Sequence, residues 1–484
     1  MSPLNFDEQF PTLKPFGRTL IRLLAGMILI PARGIRRRHK PILAVIAILI
    51  ISHAVVTFVL GRRVQAEITS IRSEGNPTTA ADLAGAKIPD EENAAVLYRK
   101  AFEFMSTEQG EDDSGVIGTV VSRSERAKDP TLWNKAAEVL PRYQGVISLI
   151  EQAQMRPKCR FPINWNQGFG AQFRHLAPMR RLAQLLYAQA LIDAKAGKMD
   201  KALRSTGLAF KLSDSLKDEP TLISQLVRVS VISIGARTFT DVLEYGSIDE
   251  TQAKRLYGTL SGISMDSSMV TAMRGGRALG LLAFQDVRKN SPLASALEEA
   301  GHLPRVVRTW PWRPMFYADE LYYLRRANVS VRRATFPYRD FGKFPDPYRH
   351  KDPPRYAFLS GVIMPVYTRA RSAADRAQAS INGTQIVLAL QAYKDRYDGY
   401  PASFGELRAK LGWPLPEDPF SGKDFAYKRQ GNGFILYSVG ENLKDDGARK
   451  YSSCVTRRGE ESATHEYQTA DGQFSDDMIW EMTR

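Results

Sequence analysis

Cysteine is nearly missing from this 484-residue chain: there are two, Cys159 and Cys454. A disulfide-stapled fold is excluded, and so is a thiolate zinc site, because both need several cysteines at short spacing. The two present can form one bridge outside the cytosol or remain separate thiols, and spacing does not choose. The histidines are few and scattered, at His39, His53, His175, His302, His350 and His465, with no metal-binding pair among them. There is no P-loop, dinucleotide turn or Gly-x-Ser-x-Gly elbow. The stretch Asn166–His175 has two glycines and a histidine but lacks the strand–helix setting of a phosphate loop. Catalysis needs a nucleophile beside a base, paired carboxylates or a metal. The chain therefore reads as a non-enzyme. A site assembled only on folding, around Glu219 or Asp241, is the route to chemistry that remains open.

Long apolar runs are equally scarce, which excludes a polytopic membrane protein. The one run without formal charge is Pro41–Leu60, twenty residues, with His53 as its only strongly polar member. At 1.5 Å per residue it matches the hydrocarbon layer. Basic residues abut it: residues 1–63 carry +8 of the chain's net +15. Arg36 to Lys40 therefore place the N-terminus in the cytoplasm and residues beyond Arg62 outside. Uncleaved anchor is preferred to signal peptide, because the run exceeds the usual apolar core and Arg62 and Arg63 follow it. Gly17–Pro31, interrupted by Arg18 and Arg22, reads as a membrane-surface helix within a basic segment 1–40.

Beyond the anchor, residues 61–94 read as a linker that begins with polar helix. Residues 95–300 form a helical domain. Within it, Leu182–Leu216 is a helical hairpin meeting at Gly197, either tetratricopeptide-like or an ordinary antiparallel pair. Residues 301–356 are a basic, aromatic, Pro-rich connection: between 305 and 356 twelve basic residues face five acidic ones, among twelve aromatics. On a cytosolic protein this would suggest single-stranded nucleic acid. Outside a membrane no nucleic acid is expected, and anionic surfaces fit the charge. The competing reading lays the rings on the core and the arginines in water.

From Leu359 the pattern is helical again. Ile386, Leu390, Tyr393 and Tyr397 make one stripe, Gly399 offers a left-handed cap and Pro401 prevents continuation. A short helix Ser403–Lys410 follows, then a hairpin of "DFAYKR" and "GFILYSVG" turning at Gly431-Asn432-Gly433. The expected fold is mainly α with a small α+β tail at 357–484.

That tail resembles the major pseudopilin of type II secretion systems. The matching residues are Gly399, Tyr400 and Pro401; Asp418, Pro419, Phe420 and Gly422; and Tyr427, Tyr437, Ser438 and Gly440. The resemblance covers about 90 residues and implies a helix handing over to a small antiparallel sheet. It departs in two respects: the anchor lies about 320 residues upstream of this helix, and a polar insertion occupies 448–475. The family binds calcium in an acidic loop, which would correspond to Asn442, Asp445 and Asp446, with Asp476 and Asp477; a solvated acidic loop is the alternative. No other cofactor is expected. The whole arrangement, with its "ENAA-x-x-Y" segment Glu92–Tyr98, is also similar to a group of uncharacterised bacterial single-pass envelope proteins. The implied role is an inner-membrane-anchored, outward-facing scaffold that contacts lipid through 41–60 and other envelope proteins. The alternatives are a component of a secretion or pilus-like machine, or a hydrolase of cell-wall polymer.

Overall fold

The computed structural model describes residues 39–289, 295, 299, 310–345, 347–348, 353–364, 367–448, 451–458, 463–469 and 478–482. Residues 1–38 of the basic segment 1–40, including the expected surface helix, lie outside them.

The protein is mainly helical. The apolar run becomes the middle of one 35-residue helix, α1 (His39–Ser73). Leu43, Ile46, Ile48, Ile50, Ile51, Val55, Phe58 and Val59 are exposed on it, whereas Leu60, Val64 and Ile71 are buried in the core. A second helix, Leu222–Val242, is also long and apolar enough to cross a membrane, but much of it is buried inside the helical core.

The middle of the chain supplies α2 (Ala80–Ala84), α3 (Ala94–Met105), α4 (Glu108–Val120), α5 (Arg123–Lys128), α6 (Leu132–Val139) and α7 (Gln144–Gln154). They are followed by α8 (Leu176–Lys195), α9 (Met199–Leu212), α10 (Leu222–Val242), α11 (Glu250–Leu260) and α12 (Asp266–Arg288). Helices α8 and α9 form the expected hairpin, with Gly197 left-handed at φ +73. One apolar cluster joins α3, α4, α6, α7 and α8.

The basic, Pro-rich stretch departs from its sequence reading. Between its prolines lies a regular 21-residue helix, α13 (Arg313–Arg333). Pro314 sits in the first turn, where no amide partner is lost, and Pro337 falls beyond the end. The helix packs on α1 and α12 and buries Phe316, Leu321, Tyr323 and Leu324. Then come α14 (Phe358–Ile363), α15 (Tyr367–Tyr397) and α16 (Phe404–Leu411).

Strands β1 (Ala426–Gln430) and β2 (Gly433–Ser438) form the expected hairpin. β2 also pairs with β5 (Met478–Met482), giving the antiparallel order β1-β2-β5. The insertion contains a separate hairpin, β3 (Tyr451–Arg458) with β4 (Ala463–Thr469).

Helix α15 is buried on more than one face. All residues from 381 to 393 are buried, while Tyr397, expected on the apolar stripe, is 42% exposed. The reason is that α15 packs on α10 and α11 and also against the sheet, within one continuous apolar cluster. At Gly383 the approach is closest: a methyl group there would stand 2.5 Å from the Trp480 ring of β5.

Candidate functional site

The buried carboxylates Asp241, Asp418, Asp319 and Glu219 differ in their partners, and an ionised group taken out of water must find donors. Asp241, on α10, is closed: Arg123, Arg126 and Tyr187 all donate to it, and Arg123 also reaches Glu244. Burial, with the bond to Asp241 adding to it, pushes the Tyr187 phenol well above its ordinary pKa. This is a joint between α5, α8 and α10.

Asp418 joins the turn at Phe420 to the loop after β2. Its oxygens accept from the Phe420 amide at 3.0 Å and the Ser421 amide at 3.3 Å. From the other loop they accept from Ser438 Oγ at 2.7 Å and the Val439 amide at 3.3 Å. Asp319 on α13 accepts from the Leu359 and Ser360 amides and the Ser360 hydroxyl at the start of α14.

Glu219 differs from all three. It is 5% exposed, yet neither carboxylate oxygen accepts a hydrogen bond. His175 Nε2 stands 2.7 Å from Oε1, an ion-pair contact when the ring is protonated, though neither atom makes a hydrogen bond. The His175 ring stacks on Phe161, with centroids 4.2 Å apart and planes inclined by 9°.

Phe161, His175 and Glu219 form a partition between two clefts. On one side a cleft of about 460 Å³ is lined by Glu219, Asp218, Asp82, Arg72, Arg160 and Arg274. On the other, a cleft of about 580 Å³ is lined by His175, Arg99, Arg174, Gln167 and Gln172. Phe161 lines both. The stretch Asn166–His175 thus contributes a wall: Trp165–Gly170 is a 3-10 segment kinked at Gly168, and the chain then reaches His175, just before α8.

The "ENAA-x-x-Y" segment sets this geometry. Asn93 caps α3 through the Ala95 amide, and its side chain bonds both the amide and the carbonyl of Arg160. It thereby clamps the segment carrying Cys159, Arg160 and Phe161 against the helix. Tyr98 accepts from Ser215, four residues before Glu219, at 2.9 Å. Cys159 is a free thiol, and burial, reinforced by Glu219, pushes its pKa well up, so it is a poor nucleophile. The Cys454 side chain lies outside the described residues.

The remaining motif residues serve packing. Tyr400 is buried against Phe434 and accepts from Gln391, and the Pro401 carbonyl accepts from Tyr427. Phe420 is buried, Pro419 presents its carbonyl to Arg339, and Gly422 and Gly440 both have φ +67. The left-handed residue at the end of α15 is Asp398, φ +54, in place of the expected Gly399. Aspartate tolerates this conformation better than most side chains. In the acidic loop Asn442 donates to Asp446, and Asp445 accepts from Tyr437 and the Gly447 amide. Asp476 and Asp477 lie outside the described residues, and among the described residues no group of three His, Cys, Asp or Glu forms a metal cluster.

Sequence reasoning marked Glu219 and the histidine separately. It missed their meeting across 44 positions, and it missed Phe161 and the three arginines; the Asn93 motif was the available signal. The chain matches no protein-family model, no curated protein and no solved structure.

Proposed function

We propose that this is a single-span, inner-membrane-anchored protein that holds a polar binding cleft rigidly outside the membrane, with its N-terminus in the cytoplasm. The observation that carries the reading is the continuity of α1. Its apolar part is exposed, its upper part is core, and its end at Arg72, with Gly75 and Asn76, is a wall of the cleft. From Leu60 to Ser73 the helix rises about 20 Å. The anchor and the cleft are therefore one body, as a scaffold requires.

The Glu219 carboxylate, in the wall of the cleft and closed to water in the free protein, is the group we take as the recognition point. A partner group bearing N–H donors, such as an ammonium or guanidinium side chain of an envelope protein, would satisfy it. The arginines at the mouth favour acidic flanking groups. The helix-and-sheet arrangement of α15 with β1-β2-β5 supports treating 357–484 as a pseudopilin-like contact unit, and so supports service as an adaptor of a secretion or pilus-like machine.

A photo-crosslinker placed at Thr271, on the cleft wall, tests the reading in intact cells. A discrete adduct lost in Glu219→Gln is expected; absence of any adduct opposes it. Protease shaving of spheroplasts checks orientation: protection of residues 100–484 would reverse the topology. The 2.7 Å contact of Glu219 with His175 also favours a second reading, an acid–base pair acting on cell-wall polymer. Polymer cleavage abolished by both Glu219→Gln and His175→Gln would establish it.

A further inference from the structure

We infer that the turn Trp310-Pro311-Trp312 is a foot that enters the outer leaflet beside α1, so that lipid covers its two indoles. This rests on α1 crossing the bilayer and is independent of what the cleft binds. The argument is one of register. Helix α13 runs in the same direction as α1, and three contacts fix their relative height. The Trp310 ring lies 4.1 Å from that of His53. The Tyr317 ring lies against Gly61. Arg325 Nε reaches Glu67 at 3.2 Å.

The start of α13 is therefore level with His53, seven residues and about 10 Å below Leu60 along the helix axis. That level falls inside the uncharged run, not above it. The surface there is continuous: Ile50, Ile51, Val55 and Phe58 are exposed on α1, and Trp310 and Trp312 are 49% and 36% exposed beside them. Water would leave this patch bare, whereas acyl chains at this depth cover the rings. Proline at position 311 suits such a turn, since it needs no amide partner there. His53, which would otherwise face acyl chains alone, gains the Trp310 ring as a cover.

The test is tryptophan quenching in the full chain, reconstituted in phosphatidylcholine bilayers whose acyl chains are brominated near the headgroup or near their ends. The chain has six tryptophans. Bromines at the chain ends should quench the share due to two of them, and more strongly than bromines near the headgroup. Trp310→Phe/Trp312→Phe should abolish that quenched share. Trp312→Phe alone, a change on an exposed ring, should remove about half of it and guards against misfolding of the double variant. Equal quenching of wild type and both variants would overturn the proposal.

Discussion

Asp241 and Glu219 are both buried carboxylates of the helical middle, 22 positions apart, and the fold treats them in opposite ways. Asp241 receives two guanidiniums and a phenol, so every part of its charge is answered. Glu219 has a single imidazole 2.7 Å away, accepts no hydrogen bond and lies in the wall of a cleft. Asp319 and Asp418 stand between these extremes, held by amides and hydroxyls with no cation bonded to the carboxylate among the described residues. The series separates charge used as a fastener from charge left available. A fastener is worth most when removed, because its partners are then buried without a counter-charge. An unanswered charge costs the free protein stability, and that cost is recoverable only when a ligand arrives.

The largest effect expected is at the fastener. Asp241→Ala leaves Arg126 and Tyr187 buried without their acceptor and should lower stability by about 3–5 kcal/mol, measured as a urea midpoint. A loss under 1 kcal/mol would erase the distinction.

Asp319 tests the middle of the series through pH. Burial raises its pKa from 3.8 to about 6, against the lowering effect of its bonds to Ser360 and Leu359. The folded state then holds its proton over a range where the unfolded state has released it. Stability contributed by this group is full below pH 3.8, declines as pH rises to about 6 and is flat above. The change is on the order of 3 kcal/mol, and Asp319→Asn should flatten that part of the pH–stability curve. An unchanged slope in the variant would assign the effect to another group.

At Glu219 the sign should reverse. Glu219→Gln replaces a buried carboxylate that accepts no hydrogen bond and should raise stability by about 1 kcal/mol in the absence of any bound partner. A loss of comparable size would make the pair with His175 another fastener and remove the basis for the cleft.

The smallest effect extends the contrast to the backbone. Gly399 has open space at its would-be methyl group and no positive φ, so Gly399→Ala should change stability by less than about 0.5 kcal/mol. Gly383→Ala, driven toward Trp480, should cost about 1–3 kcal/mol.

Several features were legible from local chemistry. The uncharged run, the hairpin at Gly197 and the strands around Gly431 follow from length, small residues and turn residues, which act within a few positions. The helix α13 was hidden because its flanking prolines and dense charge resemble those of a connecting segment; its burial depends on α1 and α12, neither of them nearby in sequence. The stripe on α15 understated burial for a similar reason, since the sheet that covers its other face forms only from β1, β2 and β5 together. At the end of α15 a general preference for glycine was overridden by an aspartate that the last turn places left-handed.

By itself, the sequence determined the apolar helix, the helical content, and the residues from Tyr393 to Gly440 that turn a long helix into a small sheet. These depend on covalent and near-neighbour preferences. The tertiary structure alone decided which buried charges are answered. Asp241 and Glu219 look alike in the chain, and only packing brought Arg123, Arg126 and Tyr187 to one while leaving the other facing a cleft. Partnering is a matter of distance in space, and no local pattern encodes it.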